Sequence, residues 1–411
     1  MSEIFDRYET RPMKTREAAF FREFKAIISI ARSNAHALRE QTRGVDLAKI
    51  KRFEDLAVIP VLRDPQRARL RAGEPLYNGC LASRPGYMHH LFLNAAAGAT
   101  RDWWNAARAM HAADFCKGEI ILNCASFHFS NGGHMIDGAA RELGCASIPA
   151  GPDNVMKQIE AIGAASPVGY CGKPGGLRRI LDSATATKRD VSSLKKAFVF
   201  GAPLSTHFRR EAATRNIRIR QAYTTPEAGV IAYETSAPDG ALVGGMVVNE
   251  NVIVEIVKPG GAEPAAPGEI GEIVITRLNV DFPLLRFGTG DLSRLIPGPS
   301  PCGRTNMRIE GWMGHADETT RFNDRIVLPS QVIDIGERHP CVQRVCLVLG
   351  NQTPGGEPVL KVEGPQNDPQ LPFNLRATMK SVLGFEGRID IVCPGTLPDD
   401  GRLIADERVL A

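Results

Sequence analysis

The sequence predicts an α/β protein with a large N-terminal domain, containing parallel sheets and a β-subdomain, and a small α+β C-terminal domain. Residues 90–235 alternate short apolar strands with helical stretches, which is typical of a parallel sheet. Residues 236–300 are rich in strands punctuated by glycine and proline, and a mixed helix and strand pattern continues to the end. A chain of 411 residues is too long for one small core, so two domains are expected.

The elements follow in order along the chain. Residues 12–70 are charged and have helical periodicity. The apolar stripe expected to be buried consists of Ala19, Phe20, Phe24, Ile27, Ile28 and Ile30. The parallel sheet is expected to contain strands at 119–123, 146–149, 167–170 and 197–200, with helices at 153–164 and 207–214. The segment 308–317 is the expected hinge between the domains.

Composition and charge exclude several classes of protein. Apolar residues make up 43% and charged residues 23%, as in an ordinary globular protein. The net charge of +4 is spread over interspersed residues, which gives no indication of nucleic-acid binding. No run approaches the roughly 18 apolar residues of a membrane span. The N-terminus lacks the pattern of a signal peptide, so a cytoplasmic protein without membrane association is expected.

The nine cysteines are scattered and form no Cys-x-x-Cys pair. This argues against both a disulfide framework and a site in which four thiolates bind a metal.

The most informative stretch runs from Gly268 to Asp291. A strand with alternating apolar residues ends at Thr276, and a second segment delivers Thr289-Gly290-Asp291. The glycines on either side of Thr289 favour a sharp bend that presents the Asp291 carboxylate at a loop tip. Such a carboxylate can accept hydrogen bonds from a vicinal diol such as a ribose, although an aspartate that only forms a turn fits the residues equally.

This stretch resembles the late core motif of adenylate-forming enzymes, and in detail that of the phenylacetate–CoA ligase family. Gln221-Ala-Tyr-Thr-Thr-Pro-Glu227 resembles the family's Tyr-Gly-Leu-Thr-Glu motif, and Phe200-Gly-Ala-Pro-Leu-Ser205 resembles its adenine loop. Leu328-Pro-Ser-Gln-Val332 resembles a segment near the start of the mobile C-terminal domain, and residues 53–62 resemble the helical entry segment. The resemblance spans nearly the whole chain. It implies an N-terminal AMP-binding and acyl-pocket domain at 1–313 and a mobile domain at 314–411.

The resemblance also implies roles for individual residues, with ATP, Mg²⁺ and CoA as cofactors. Asp291 corresponds to the aspartate that binds ribose, and Glu227 to the catalytic glutamate associated with Mg²⁺. Tyr223 corresponds to the residue that stacks on adenine. The other residues implied to bind the nucleotide are Gly201, Ala202, Pro203, Thr224 and His315. Arg402 stands in place of a catalytic lysine that promotes adenylation.

A pocket for the acyl group is expected near residues 127–133. Phe127, His128 and Phe129 precede a Gly-Gly turn there, as an aromatic residue does in the family's carboxylic-acid site. Phe127 would supply a flat apolar wall for an aromatic or hydrophobic acid. Aromatic residues that simply belong to the core are the alternative.

The chain departs from the family pattern mainly where phosphates are bound. The phosphate loop reads Ala96-Ala-Gly-Ala-Thr-Arg-Asp102, with most of its hydroxyls replaced. Pro226 stands in place of a threonine, His315 in place of the hinge arginine, and Arg402 in place of the lysine. Of the cysteine and histidine ligands with which some relatives bind zinc, only Cys302 is present, so zinc is not expected.

The leading hypothesis is ATP-dependent, AMP-forming activation of a carboxylic acid with transfer to CoA. A second hypothesis keeps adenylation but transfers the acyl group to an amine or another acceptor that is not CoA. A third is a catalytically impaired relative that binds a nucleotide or acyl compound. The altered phosphate contacts favour the third, and the presence of Glu227 and Asp291 favours the first two. The sequence leaves the identity of the acid and the formation of a homodimer open.

Overall fold

The structure is a computed structural model that describes residues 4–34, 36–63, 102–128, 130–279, 283–323, 325–350, 357–397 and 402–408. The phosphate-loop prediction at residues 96–101 and the prediction for Phe129 lie outside these residues. The chain divides into two compact units. The first consists of Met1–Leu204, Glu211–Thr289 and Ser293–Gly311, and the second of Ser205–Arg210, Gly290–Leu292 and Trp312–Ala411.

The first unit begins with helices α1 (Met13–Asn34) and α2 (His36–Gln41). Phe24 and Ile28 are fully buried on α1, and each contributes about 1.5–3 kcal/mol of hydrophobic stabilisation. The expectation that Ile30 belongs to the same stripe is wrong, because its side chain is 47% exposed. Two residues along a helix turn a side chain by about 200°, which places Ile30 on the opposite face from Ile28.

A nine-stranded sheet forms the centre of the first unit, in the order β11-β12-β7-β6-β5-β4-β3-β1-β2. The parallel strands are β1 (Ile120–Asn123), β2 (Ala146–Pro149), β3 (Gly169–Gly172), β4 (Lys196–Phe200) and β5 (Arg218–Thr225). The antiparallel strands are β6 (Gly229–Tyr233), β7 (Met246–Val248), β11 (Leu295–Ile296) and β12 (Arg308–Ile309). The predicted parallel α/β arrangement is confirmed.

Helices connect and cover the parallel strands. They are α3 (Ala107–Ala112), α4 (Gly132–Leu143), α5 (Val155–Ala165), α6 (Pro174–Ala186) and α7 (Thr206–Thr214). Helix α5 starts where the Asn154 side chain accepts a hydrogen bond from the backbone of Lys157. Helix α4 ends at Gly144, whose positive φ is a common way to close a helix. The helices predicted at 153–164 and 207–214 therefore agree with α5 and α7 to within two residues.

A three-stranded sheet follows, made of β8 (Val252–Val257), β9 (Gly271–Arg277) and β10 (Leu284–Ser293), with β9 in the middle. Strand β10 continues through Asp291, so the prediction that this residue lies at a loop tip is wrong. The predicted bend is present in the backbone, because Gly290 has a positive φ of 78°. An isolated backbone bridge also pairs Asp291 with His315, a contact between residues distant in sequence that the local glycines could not reveal.

The second unit has its own sheets and core. Its strands are β13 (Thr320–Phe322), β14 (Arg325–Val327), β15 (Arg344–Leu349), β16 (Val359–Glu363), β17 (Arg388–Val392) and β18 (Ile404–Asp406). Strands β15 to β18 form one sheet in the order β17-β16-β15-β18. Helices α8 (Pro329–Glu337) and α9 (Leu371–Leu383) bury apolar residues against that sheet. This is the expected α+β pattern, whereas the domain boundary after residue 313 stays a prediction.

No helix among the described residues is long and apolar enough to cross a membrane.

Candidate functional site

In the first unit, the chain segments that carry predicted site residues leave the parallel sheet at one edge. Residues 124–131 follow β1, residues 201–203 follow β4, and residues 226–228 follow β5. The carboxyl ends of parallel strands meet at a common edge, where open α/β sheets bind their ligands. Three segments that are separate in sequence are therefore brought to one side of the sheet.

The segment 201–203 is fixed to strand β5. Gly201 has a positive φ of 71°, which turns the chain sharply at the end of β4. The Gln221 side chain donates a hydrogen bond from Nε2 to the carbonyl oxygen of Ala202 at 3.0 Å. Two positions further along β5, Tyr223 is 6% exposed, and the pairing of β5 with β6 shifts between Tyr223 and Thr224. The predicted adenine loop, which directly follows β4, is thus tied to β5, the adjacent strand that carries Tyr223.

Glu227 lies in the turn between β5 and β6. Asn131 at the start of α4 donates from Nδ2 to the carbonyl oxygen of Pro226 at 2.8 Å, and Ala228 donates its N–H to Thr225 Oγ1 at 3.2 Å. These bonds hold the turn. Glu227 is only 7% exposed, and its carboxylate has no hydrogen-bond or ion-pair partner among the described residues.

A carboxylate that no side chain of the described residues pairs with is available to bind a cation. Glu227 is therefore a candidate ligand for Mg²⁺. No cluster of three or more candidate metal-binding side chains exists in the described part of the chain. Mg²⁺ is commonly held by one or two carboxylates together with substrate phosphates and water.

The aromatic segment after β1 is shaped by two glycines. The predicted Gly-Gly turn is in fact the first turn of α4, and a Cβ on Gly133 would lie 2.6 Å from the Phe127 ring. Phe127 also meets the His134 ring edge to face at 5.2 Å. His128 is exposed, and its backbone N–H donates to Ser126 Oγ at 3.2 Å. The structure therefore orders Phe127 against α4 but leaves the His128 ring at the surface.

In the second unit, two side chains converge on Asp291. Its Oδ1 accepts hydrogen bonds from Trp312 Nε1 at 3.1 Å and from His315 Nδ1 at 2.7 Å. The Leu292 N–H donates to the carbonyl oxygen of Gly314, and the Met313 N–H donates to the carbonyl oxygen of Leu292. These two bonds hold the end of β10 against the segment that carries Trp312 and His315. Asp291 is 8% exposed, so this carboxylate is both buried and oriented.

The charges around this carboxylate affect one another. The hydrogen bond to Asp291 raises the pKa of His315 above its ordinary value, because the imidazolium form is favoured beside a carboxylate. Burial raises the pKa of Glu318, while the positive charges of His315 and Arg402 act in the opposite direction. Arg402 is exposed and lies two residues before the start of β18. The structure thus brings three predicted positions, Asp291, His315 and Arg402, into one electrostatic group.

Sequence reasoning missed four residues that shape the site: Gln221, Asn131, Trp312 and Glu318. Gln221 and Asn131 act through backbone carbonyls, for which the sequence carries no signal. Trp312 had a usable signal, because a polar aromatic side chain stands three positions before His315 in the expected hinge.

Comparisons with known proteins give similarities that agree with one another. Residues 87–280 match the family model described as AMP-binding enzyme. The chain is 26% identical over 286 residues to the phenylacetate–coenzyme A ligase of Thermus thermophilus, covering 68% of this chain and 61% of that enzyme. It is 28% identical over 238 residues to the Pseudomonas putida phenylacetate–coenzyme A ligase, covering 56% of this chain and 53% of that enzyme. The matches therefore span about half to three fifths of these relatives.

Solved structures show the same fold. A 2-hydroxyisobutyryl-CoA ligase in its postadenylation state, in complex with R3-HIB-AMP, matches with a TM-score of 0.82 at 19% identity, covering 98% of this chain and 91% of that one. ATP-bound MatB from Rhodopseudomonas palustris matches with a TM-score of 0.54 at 15% identity, covering 74% and 62%. The family match, the curated relatives and the shared fold agree. Residues 87–280 are thus similar to AMP-binding enzymes, the chain is similar to phenylacetate–coenzyme A ligases, and it shares the fold of a solved CoA ligase.

Proposed function

We propose that this chain is an ATP-dependent, AMP-forming ligase that activates a carboxylic acid and transfers its acyl group to CoA. The observation that carries the proposal is Glu227, a residue that is 7% exposed and whose carboxylate has no partner in the described residues, in the turn that resembles the family's glutamate motif. Its charge calls for a cation, and adenylation of a carboxylic acid requires one at the phosphates of ATP. The names of the relatives support the same activity.

In the first half-reaction, a carboxylate oxygen of the acid attacks the α-phosphorus of ATP. A new P–O bond forms, and the bond to the leaving pyrophosphate breaks. Bound Mg²⁺ would offset the negative charge of the phosphates. The residues of this chain bind and orient the nucleotide, with Tyr223 stacking on adenine, Asp291 accepting from the ribose hydroxyls, and Glu227 holding the cation.

In the second half-reaction, the thiol of CoA attacks the carbonyl carbon of the acyl adenylate. A thioester forms, the C–O bond to AMP breaks, and the thiol proton is released. Phe127 is assigned to the acid pocket, where its ring, held against Gly133, would favour an aromatic or hydrophobic acid. Arg402 carries the positive charge that the resembled enzymes place near the phosphates during adenylation.

The test is a screen of pyrophosphate release across aromatic, branched and linear carboxylic acids, with and without CoA. We expect release that depends on the acid and on Mg²⁺, with a thioester formed only when CoA is present. Release without thioester formation would favour transfer to another acceptor. Nucleotide binding by calorimetry without release of pyrophosphate would identify a catalytically impaired binding protein instead.

Glu227→Gln tests the assignment of the cation. Removing the charge should lower the rate of release at least about 10-fold, the lower range for loss of groups that support a metal ligand. Added Mg²⁺ should recover part of the rate. Glu269→Gln is the matched control, since Glu269 is an exposed carboxylate in a surface turn. Equal rates and equal Mg²⁺ dependence in both variants would remove Glu227 from the site.

Asp291→Ala tests the ribose contact. Hydrogen bonds to a charged acceptor contribute roughly 1.5–3 kcal/mol, so the affinity for ATP should fall by about one to two decades. Calorimetry with ATP measures this directly, and circular dichroism checks that the fold is intact. An unchanged affinity in a folded variant would contradict the ribose assignment.

A further inference from the structure

The hydrogen-bond donors on Asp291 come from a short segment, Trp312 to His315, in which the family resemblance assigns a role to His315 and none to Trp312. Trp312 and His315 lie three positions apart and both donate to the same oxygen, Oδ1 of Asp291. An acceptor oxygen has two lone pairs, and two donors at 3.1 and 2.7 Å engage both. Their convergence fixes the plane of the carboxylate and hence the directions in which it can accept further bonds.

The indole ring is itself held in place. It packs edge to face against the His315 ring, with centroids 5.4 Å apart and planes at 75°. A side chain with two χ angles locked by a ring contact and a hydrogen bond loses little further freedom when a ligand arrives. Trp312 is therefore suited to orient a neighbour rather than to contact a ligand transiently.

We propose that Trp312 is a positioning residue that acts through Asp291, setting the orientation in which this carboxylate recognises the hydroxyl groups of a nucleotide ribose. The inference rests on the proposed function, because it takes a nucleotide as the ligand of Asp291. It adds a specificity-determining side chain that neither the family match nor the sequence motifs assign. The discrimination between ribose and deoxygenated sugars depends on this side chain.

The variant Trp312→Phe removes the indole N–H and keeps an aromatic ring against His315. The matched control is Thr319→Val, which removes another hydrogen bond of the same segment, from Thr319 Oγ1 to the His315 carbonyl oxygen, and leaves Asp291 untouched. Calorimetry with ATP and with 2′,3′-dideoxy-ATP gives the ratio of the two affinities for each protein. This ratio reports recognition of the hydroxyls and is insensitive to a general loss of active protein.

We expect the wild type and Thr319→Val to prefer ATP by the same factor. In Trp312→Phe the preference should fall about 2- to 10-fold, the range for loss of one hydrogen bond, and affinity for the dideoxy compound should be nearly unchanged. An unaltered preference in Trp312→Phe would overturn the inference and leave the proposed function standing. Absence of any nucleotide binding by the wild type would overturn the proposed function and this inference with it.

A second measurement examines the local geometry without a nucleotide. A protonated imidazole in ring contact quenches tryptophan emission, so the difference between wild-type and Trp312→Phe emission should titrate with His315. The charged groups that influence His315 are Asp291, Asp317 and Glu318, with Arg402 acting on Glu318. The midpoint should lie above 6.5, and it should move down in Asp291→Asn. A difference spectrum that does not change with pH would contradict the arrangement and overturn the inference.

Discussion

The close packing of Phe127 on Gly133, in the predicted acid pocket, can be tested by measuring stability. An alanine Cβ there would lie 2.6 Å from Cγ and Cδ2 of Phe127. Overpacking of this kind costs typically about 1–3 kcal/mol. The gain from replacing glycine by alanine in a helix is at most about 1 kcal/mol. We therefore expect Gly133→Ala to change the free energy of unfolding by about 0–2 kcal/mol in the destabilising direction.

Gly132 supplies the matched control in the same helical turn. A Cβ at Gly132 meets its nearest neighbours, Ala125 and Phe200, at 3.5 and 3.6 Å, which is ordinary contact. Both substitutions share the gain in helix propensity, so the difference between them isolates the clash. Gly132→Ala should therefore be more stable than Gly133→Ala by about 1–3 kcal/mol.

Urea unfolding followed by circular dichroism measures both variants, and a double-mutant cycle with Phe127→Ala identifies the source of the difference. Removing the ring should abolish the difference between Gly132→Ala and Gly133→Ala. Equal free energies of unfolding for these variants in the presence of Phe127 would refute the contact. A difference that persists without the ring would assign the cost to another neighbour.

Three further predictions concern charged groups. Glu9→Gln should lower the free energy of unfolding in urea by about 3–5 kcal/mol. The reason is that it removes the carboxylate that pairs at 3.1 Å with the fully buried Arg304 guanidinium. A change below about 1 kcal/mol would contradict this prediction. Arg402→Lys should raise the rate of pyrophosphate release and Arg402→Ala should lower it, the latter by as much as about 10²–10³-fold; equal rates would exclude a catalytic role. Folding raises the pKa of His315, so its bond to Asp291 stabilises the fold fully below pH 6.5, and this contribution is lost as the pH rises through the folded pKa. The free energies of unfolding of the wild type and His315→Gln should therefore converge at high pH. Parallel curves of free energy against pH would refute the linkage.

The order of the elements in the parallel sheet could be predicted from the sequence. Short apolar runs located strands β1 to β4, and the segments between them located helices α5 and α7, since the local period of burial reflects the local geometry of the backbone. The motifs around Tyr223, Glu227 and Asp291 indicated a resemblance to adenylate-forming enzymes, to which the chain is also similar by comparison. Local patterns carry this information because strand and helix formation depends on neighbouring residues.

The assembly of the candidate site depends on contacts between chain segments that are distant in sequence, and these could not be predicted from local patterns. The burial of Glu227 without a described partner and the bond from Gln221 to Ala202 depend on segments that meet only after folding. The two glycines near Asp291 suggested a loop, but the residue lies in strand β10 and is bridged to His315. A long-range ladder outweighs local turn preference because each backbone group must find a hydrogen-bond partner when it is buried.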